Sequence, residues 1–62
     1  MIEGADEFRA RAARLRAKGV ELRERARGLR DAKIRAEFIE LAGQYDEMAR
    51  QLDELAQLPS NK

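Results

Sequence analysis

The sequence predicts an all-α fold, an antiparallel two-helix hairpin that dimerises into a four-helix bundle. Three observations carry that expectation. Leu, Ala, Arg and Glu dominate 62 residues that include one Pro and no Trp, the composition of long helices and coiled coils. Apolar residues recur every seven positions in both halves of the chain, the period of a coiled-coil seam. The phase of that repeat breaks once, near the middle.

Helix 1 is expected near residues 5–27. Phe8, Leu15, Leu22 and Leu29 recur in sevens, and Ala5, Ala12, Gly19 and Ala26 stand three residues before them. Taking the large row as position d makes the small row a. The next segment, 28–31, is expected to turn. From Leu29 to Ile34 is five residues, which on a continuous helix would rotate the stripe by about 140°. One unbroken helix is the competing reading, because a single Gly costs a helix only about 1 kcal/mol. Gly28 suits the left-handed residue after helix 1, and Asp31 suits the N-cap of helix 2.

Helix 2 is expected near 32–57. Ile34, Leu41, Met48 and Leu55 fall at d, Phe38, Tyr45 and Leu52 at a, and Ala42, Ala49 and Ala56 at e. A stripe three rows wide reaches more than one neighbouring helix. In the antiparallel pairing Phe38, Tyr45 and Leu52 are expected opposite Ala26, Gly19 and Ala12. Residues 58–62, with Pro59 and Ser60-Asn61-Lys62, form a polar tail. Two helices cover only one side of each other, so the wide stripe calls for a second copy.

Charge is unevenly distributed. Residues 9–35 hold eleven basic residues against Glu21, Glu24 and Asp31, a net of +8. Residues 36–57 hold six acids against Arg50, a net of −5. Arg9, Arg16, Arg23 and Arg30 lie at e of helix 1, and Arg11, Lys18 and Arg25 at g. Charges in these rows set helix partners and orientation, so a basic helix 1 favours pairing with an acidic helix 2. The alternative function is nucleic-acid binding, RNA or DNA, through Arg9, Arg11, Arg14, Arg16, Lys18, Arg23 and Arg25 as a phosphate-binding face. No exposed aromatic residue is evident for base stacking. A membrane-surface role for helix 1 is disfavoured, because its apolar row is largely Ala and Gly.

Chemistry is hard to build from this composition. With no His and no Cys, the usual general base, the commonest metal ligand and any thiolate site are missing. Glu40, Glu47 and Glu54 at c, and Asp46 and Asp53 at b, are expected to form a solvated face. Bundle metal sites draw on inward-facing Glu and His. Tyr45 reads as a core residue with its hydroxyl at the edge. No enzyme, cofactor or metal is expected. The first residues lack a signal peptide's basic and apolar regions, and no apolar run spans a membrane, so a cytoplasmic protein is expected.

Residues 22–56 also resemble a loose group of short bacterial helical proteins. The pattern is a capping Asp, then Arg, paired apolar residues, Leu-Ala, Tyr-acid and apolar-Ala. Here these are Asp31, Arg35, Phe38-Ile39, Leu41-Ala42, Tyr45-Asp46 and Met48-Ala49. The group often has Pro directly after the Asp, where this chain has Ala32. The resemblance implies a helical hairpin and no particular activity. In architecture the plan is similar to that of the plasmid RNA-binding regulator Rop, a short hairpin that dimerises, and that likeness implies RNA binding only by analogy of fold. The function expected from the residues is a self-associating protein–protein interaction module, an adaptor or accessory subunit. Its expected partners are itself and another protein.

Overall fold

Asp31 shows how local chemistry starts the second helix. Its backbone is extended (φ −72°, ψ 116°), and its carboxylate accepts from the amides of Lys33 at 2.9 Å and Ile34 at 3.1 Å. Two of the four free amides of the first turn are thereby satisfied, a cap worth about 1 kcal/mol. In the computed structural model, which describes residues 3–58, helix α1 spans Glu3–Arg27 and helix α2 spans Ala32–Gln57. The two pack against each other. The competing single rod is thus excluded. Of the expected polar tail, Pro59 to Lys62 lie outside the described residues.

The end of α1 differs from expectation. Gly28 does not adopt a left-handed backbone, and a Cβ built on it would meet only the Arg25 carbonyl oxygen, at 3.8 Å. The chain closes instead with two tight bonds, Gly28 N–H to Arg25 O and Leu29 N–H to Ala26 O, both 3.1 Å. Such i→i−3 bonds satisfy terminal carbonyls without a left-handed residue. Arg35 then reaches back from α2, and its Nη1 donates to the Leu29 carbonyl at 2.8 Å. The turn is held by a side chain from the far helix. At the other end Leu58 is extended (φ −62°, ψ 142°), as the steric demand of the following Pro requires.

The seam between the helices is made of small residues. Ala12, Ala42 and Ala49 are fully buried, and Ala26, Ala56 and Gly19 are buried with them. The approach is close, since a Cβ on Gly19 would stand 3.3 Å from the Ala42 carbonyl oxygen and 2.8 Å from Asp46 Oδ1. Gly19 is therefore level with the stretch from Ala42 to Asp46. Moving seven residues in opposite directions along the two helices brings Ala12 beside Ala49. The expected heights are found, but the partners are shifted. Small residues meet small ones, while Phe38, Tyr45 and Leu52 are half-buried at the edge.

Ile34, Leu41, Met48 and Leu55, the d row of the wide stripe, remain between 42% and 47% exposed in the single hairpin. Phe8, Leu15 and Leu29 are half-buried, and Leu22 alone of the large side chains is buried. The physical reason is geometric. Two rows of Ala and Gly let the backbones come together, and this places the e row of α2 at the centre of contact. Its a row becomes an edge, and its d row faces away from α1.

Candidate self-association face

Two ion pairs decide how the rows are arranged around that seam. Arg16 donates to the Asp53 carboxylate, and Arg23 Nη2 donates to Asp46 Oδ2 at 2.6 Å. Both pairs bridge α1 and α2, and they run antiparallel. On α1 the Arg residues lie at e, on the opposite side of the central a row from d. On α2 the Asp residues lie at b, on the opposite side of the central e row from a. Since the pairs fix one edge of the seam as polar, the large rows of both helices must share the other edge. The hairpin therefore has two unlike faces.

The apolar face is built from three rows. Phe8, Leu15 and Leu22 come from α1 and Leu29 from the turn that follows it, and Phe38, Tyr45 and Leu52 stand beside them on α2. Ile34, Leu41, Met48 and Leu55 extend the surface outward. Exposure follows this order: the first two rows are mostly half-buried, and the outer row is exposed. No large side chain is fully buried among the described residues. Each helix is about 38 Å long at 1.5 Å per residue, and two side by side are about 20 Å wide. The face thus measures roughly 750 Å², close to the ~800 Å² that each partner contributes to a standard stable interface.

Asp46 and Asp53 are corrections to the sequence reading, which assigned them to a solvated face. Both are only partly exposed and both serve the helix pairing. The signal was present as two rows of matching period, Arg16 and Arg23 against Asp46 and Asp53. Glu47 and Glu54 behave differently, because both bind Arg50 on their own helix at 2.5 and 2.7 Å. The Glu47 hydrogen bond, followed by the charges of Glu47 and Glu54, raises the Arg50 pKa above that of a free guanidinium.

The basic residues singled out as a phosphate-binding face fall into two groups, Arg9, Arg16 and Arg23 on the polar edge and Arg11, Arg14, Lys18 and Arg25 together on the outer side of α1. Arg16 and Arg23 lie on the polar edge with Asp partners. Arg9 stands 3.6 Å from Asp6, while Lys18 and Arg25 share Glu21 at 3.7 and 3.0 Å. Arg11 and Arg14 have no carboxylate within 4 Å among the described residues. Residues two apart on a helix point about 160° away from each other, so Arg16 is separated from Arg14 and Lys18, which share one side of α1. An open groove near the turn is lined by Arg23, Ala26, Arg27, Arg35 and Ile39. There Arg23 is engaged by Asp46 and Arg35 by the Leu29 carbonyl.

Among the described residues no cluster of three or more acidic, His or Cys side chains could hold a metal, and no helix is long and apolar enough to cross a membrane. None of the protein-family models matches this chain, and no curated protein or solved structure does so either.

Proposed function

We propose that the protein is a non-enzymatic interaction module that pairs with a second copy through its apolar face, forming a four-helix bundle that serves as an adaptor or accessory subunit. The observation that carries this reading is the outer row of α2. Four large apolar side chains at heptad spacing stand 42–47% exposed along a helix whose intrachain seam is already filled by Ala. Covering such a side chain is worth about 1.5–3 kcal/mol when complete, and a face of this size and period matches a helix pair of its own kind. A chain without Cys has no disulfide to stabilise so small a core, and no side-chain cluster suited to a metal is found among the described residues, which favours association as the means. Nucleic-acid binding through the exposed side of α1 that carries Arg11, Arg14, Lys18 and Arg25 is the second reading, and the engagement of Arg16 and Arg23 by Asp53 and Asp46 weighs against it.

If folding and association are linked, the thermal unfolding midpoint rises with protein concentration. Melts followed by circular dichroism at about 5 and 500 μM test this. A clear upward shift is expected, and superimposable curves would contradict the proposal.

A further inference from the structure

We infer that in this dimer α1 of one chain packs on α2 of the other, about a twofold axis parallel to the helices. This rests on the self-association reading, and it is carried by the charges bordering the apolar face. On α1 the row next outward from Leu15 and Leu22 is g, namely Arg11, Lys18 and Arg25, all exposed. On α2 the rows outward from Leu41 and Met48 are g and c, where Glu37, Glu40, Glu47 and Glu54 stand among Gln44 and Gln51.

Two symmetric ways exist to lay one face on another. A twofold axis across the helices sets α1 against α1 and α2 against α2. That arrangement places three cations of one chain opposite the same three of its partner, and juxtaposed like charges oppose association. An axis along the helices sets α1 over α2 and brings a helix of net +3 (eight basic residues less five acidic) beside one of net −3 (three basic less six acidic). The stems of Arg and Lys then cover the outer Leu and Met row while their charged ends reach the acids beyond it.

Height gives a second, independent constraint. Rotation about an axis parallel to the helices leaves every residue at its own level, so levels across the dimer repeat those within one chain. Gly19 is level with Ala42 to Asp46. Lys18 of one chain therefore stands beside Gln44 and Glu47 on the other. One heptad away in each direction, Arg25 meets Glu37 and Glu40, and Arg11 meets Gln51 and Glu54. Each cation of the row finds an acid at its level.

The absence of cysteine makes the test clean. Chains carrying Lys18→Cys and chains carrying Gln44→Cys, of distinguishable mass, are mixed, unfolded, refolded together and treated with a short bis-maleimide. Mixed Lys18→Cys with Gln44→Cys products are expected to dominate, with little linking of either variant to itself. Dominant self-linking of Lys18→Cys would overturn the inference in favour of α1 on α1. No linking in a preparation that sediments as a dimer would also overturn it. A preparation that sediments as monomer would instead remove the self-association reading beneath it.

Discussion

Replacing Leu41 and Met48 together by Lys is expected to hold the chain as a monomer throughout the micromolar range, with a dissociation constant raised about 1,000-fold or more, equivalent to about 4 kcal/mol. Both side chains lie in the outer row and are 42% and 43% exposed in the isolated hairpin. Within one chain the substitutions therefore cost little, because a Lys stem there can lead its charge into water. In the dimer, four ammonium groups would enter the contact, losing the apolar burial of four side chains and facing the partner's Arg11, Lys18 and Arg25. Glu at the same positions is expected to be the milder change, since those cations would meet it. Val20→Lys is the control, because Val20 is 56% exposed at a b position beside the polar edge. It should leave the dimer intact. Analytical ultracentrifugation of the three variants reads the result, and a double Lys variant that still dimerises like the unaltered chain would refute the expected role of the outer row.

Ala49→Leu is expected to destabilise the fold by about 3 kcal/mol, at the upper end of ordinary overpacking. Ala49 has no exposed surface and stands at the level of Ala12 in the closest part of the seam. The proximity of Gly19 to the Ala42 carbonyl shows how little space separates the backbones. Three further carbons at position 49 would push the helices apart, and interiors packed at crystal-like density do not absorb that volume locally. The Arg16–Asp53 pair would be stretched by the same movement. Urea unfolding followed by helix content provides the measurement, and an unchanged midpoint would mean that the small-residue seam does not set the helix spacing. The same substitution at Gln44, an exposed g position, should have no comparable effect.

Much of the hairpin was legible because its signals are local. The break in the heptads between Leu29 and Ile34, and the capping carboxylate of Asp31, act through the residues beside them and survive in the folded chain. The orientation of the seam was less legible. A heptad pattern shows that α2 has three apolar rows, but it does not say which row is central, and the usual preference for large knobs pointed to a and d. The Ala row won because it lies opposite another row of Ala and Gly, a relation visible only when both helices are aligned antiparallel. Asp46 and Asp53 were misplaced for the same reason, since one step of rotation turns b from a solvated position into a seam edge. Gly28 failed differently. Its composition suits a left-handed cap, but Arg35, seven residues further on, satisfies the Leu29 carbonyl and removes the need. The basic run of α1 separates around the helix into Arg9, Arg16 and Arg23 on the polar edge and Arg11, Arg14, Lys18 and Arg25 on the outer side.

The face formed by Leu15, Leu41, Met48 and their heptad relatives is either covered by another copy or left in water, and the mass in solution distinguishes the two most directly. Sedimentation equilibrium of the unmodified chain at micromolar concentration is expected to return twice the chain mass of 7.1 kDa, that is 2 × 7.1 = 14.2 kDa. A single species of 7.1 kDa, fully helical at the same concentration, would contradict it.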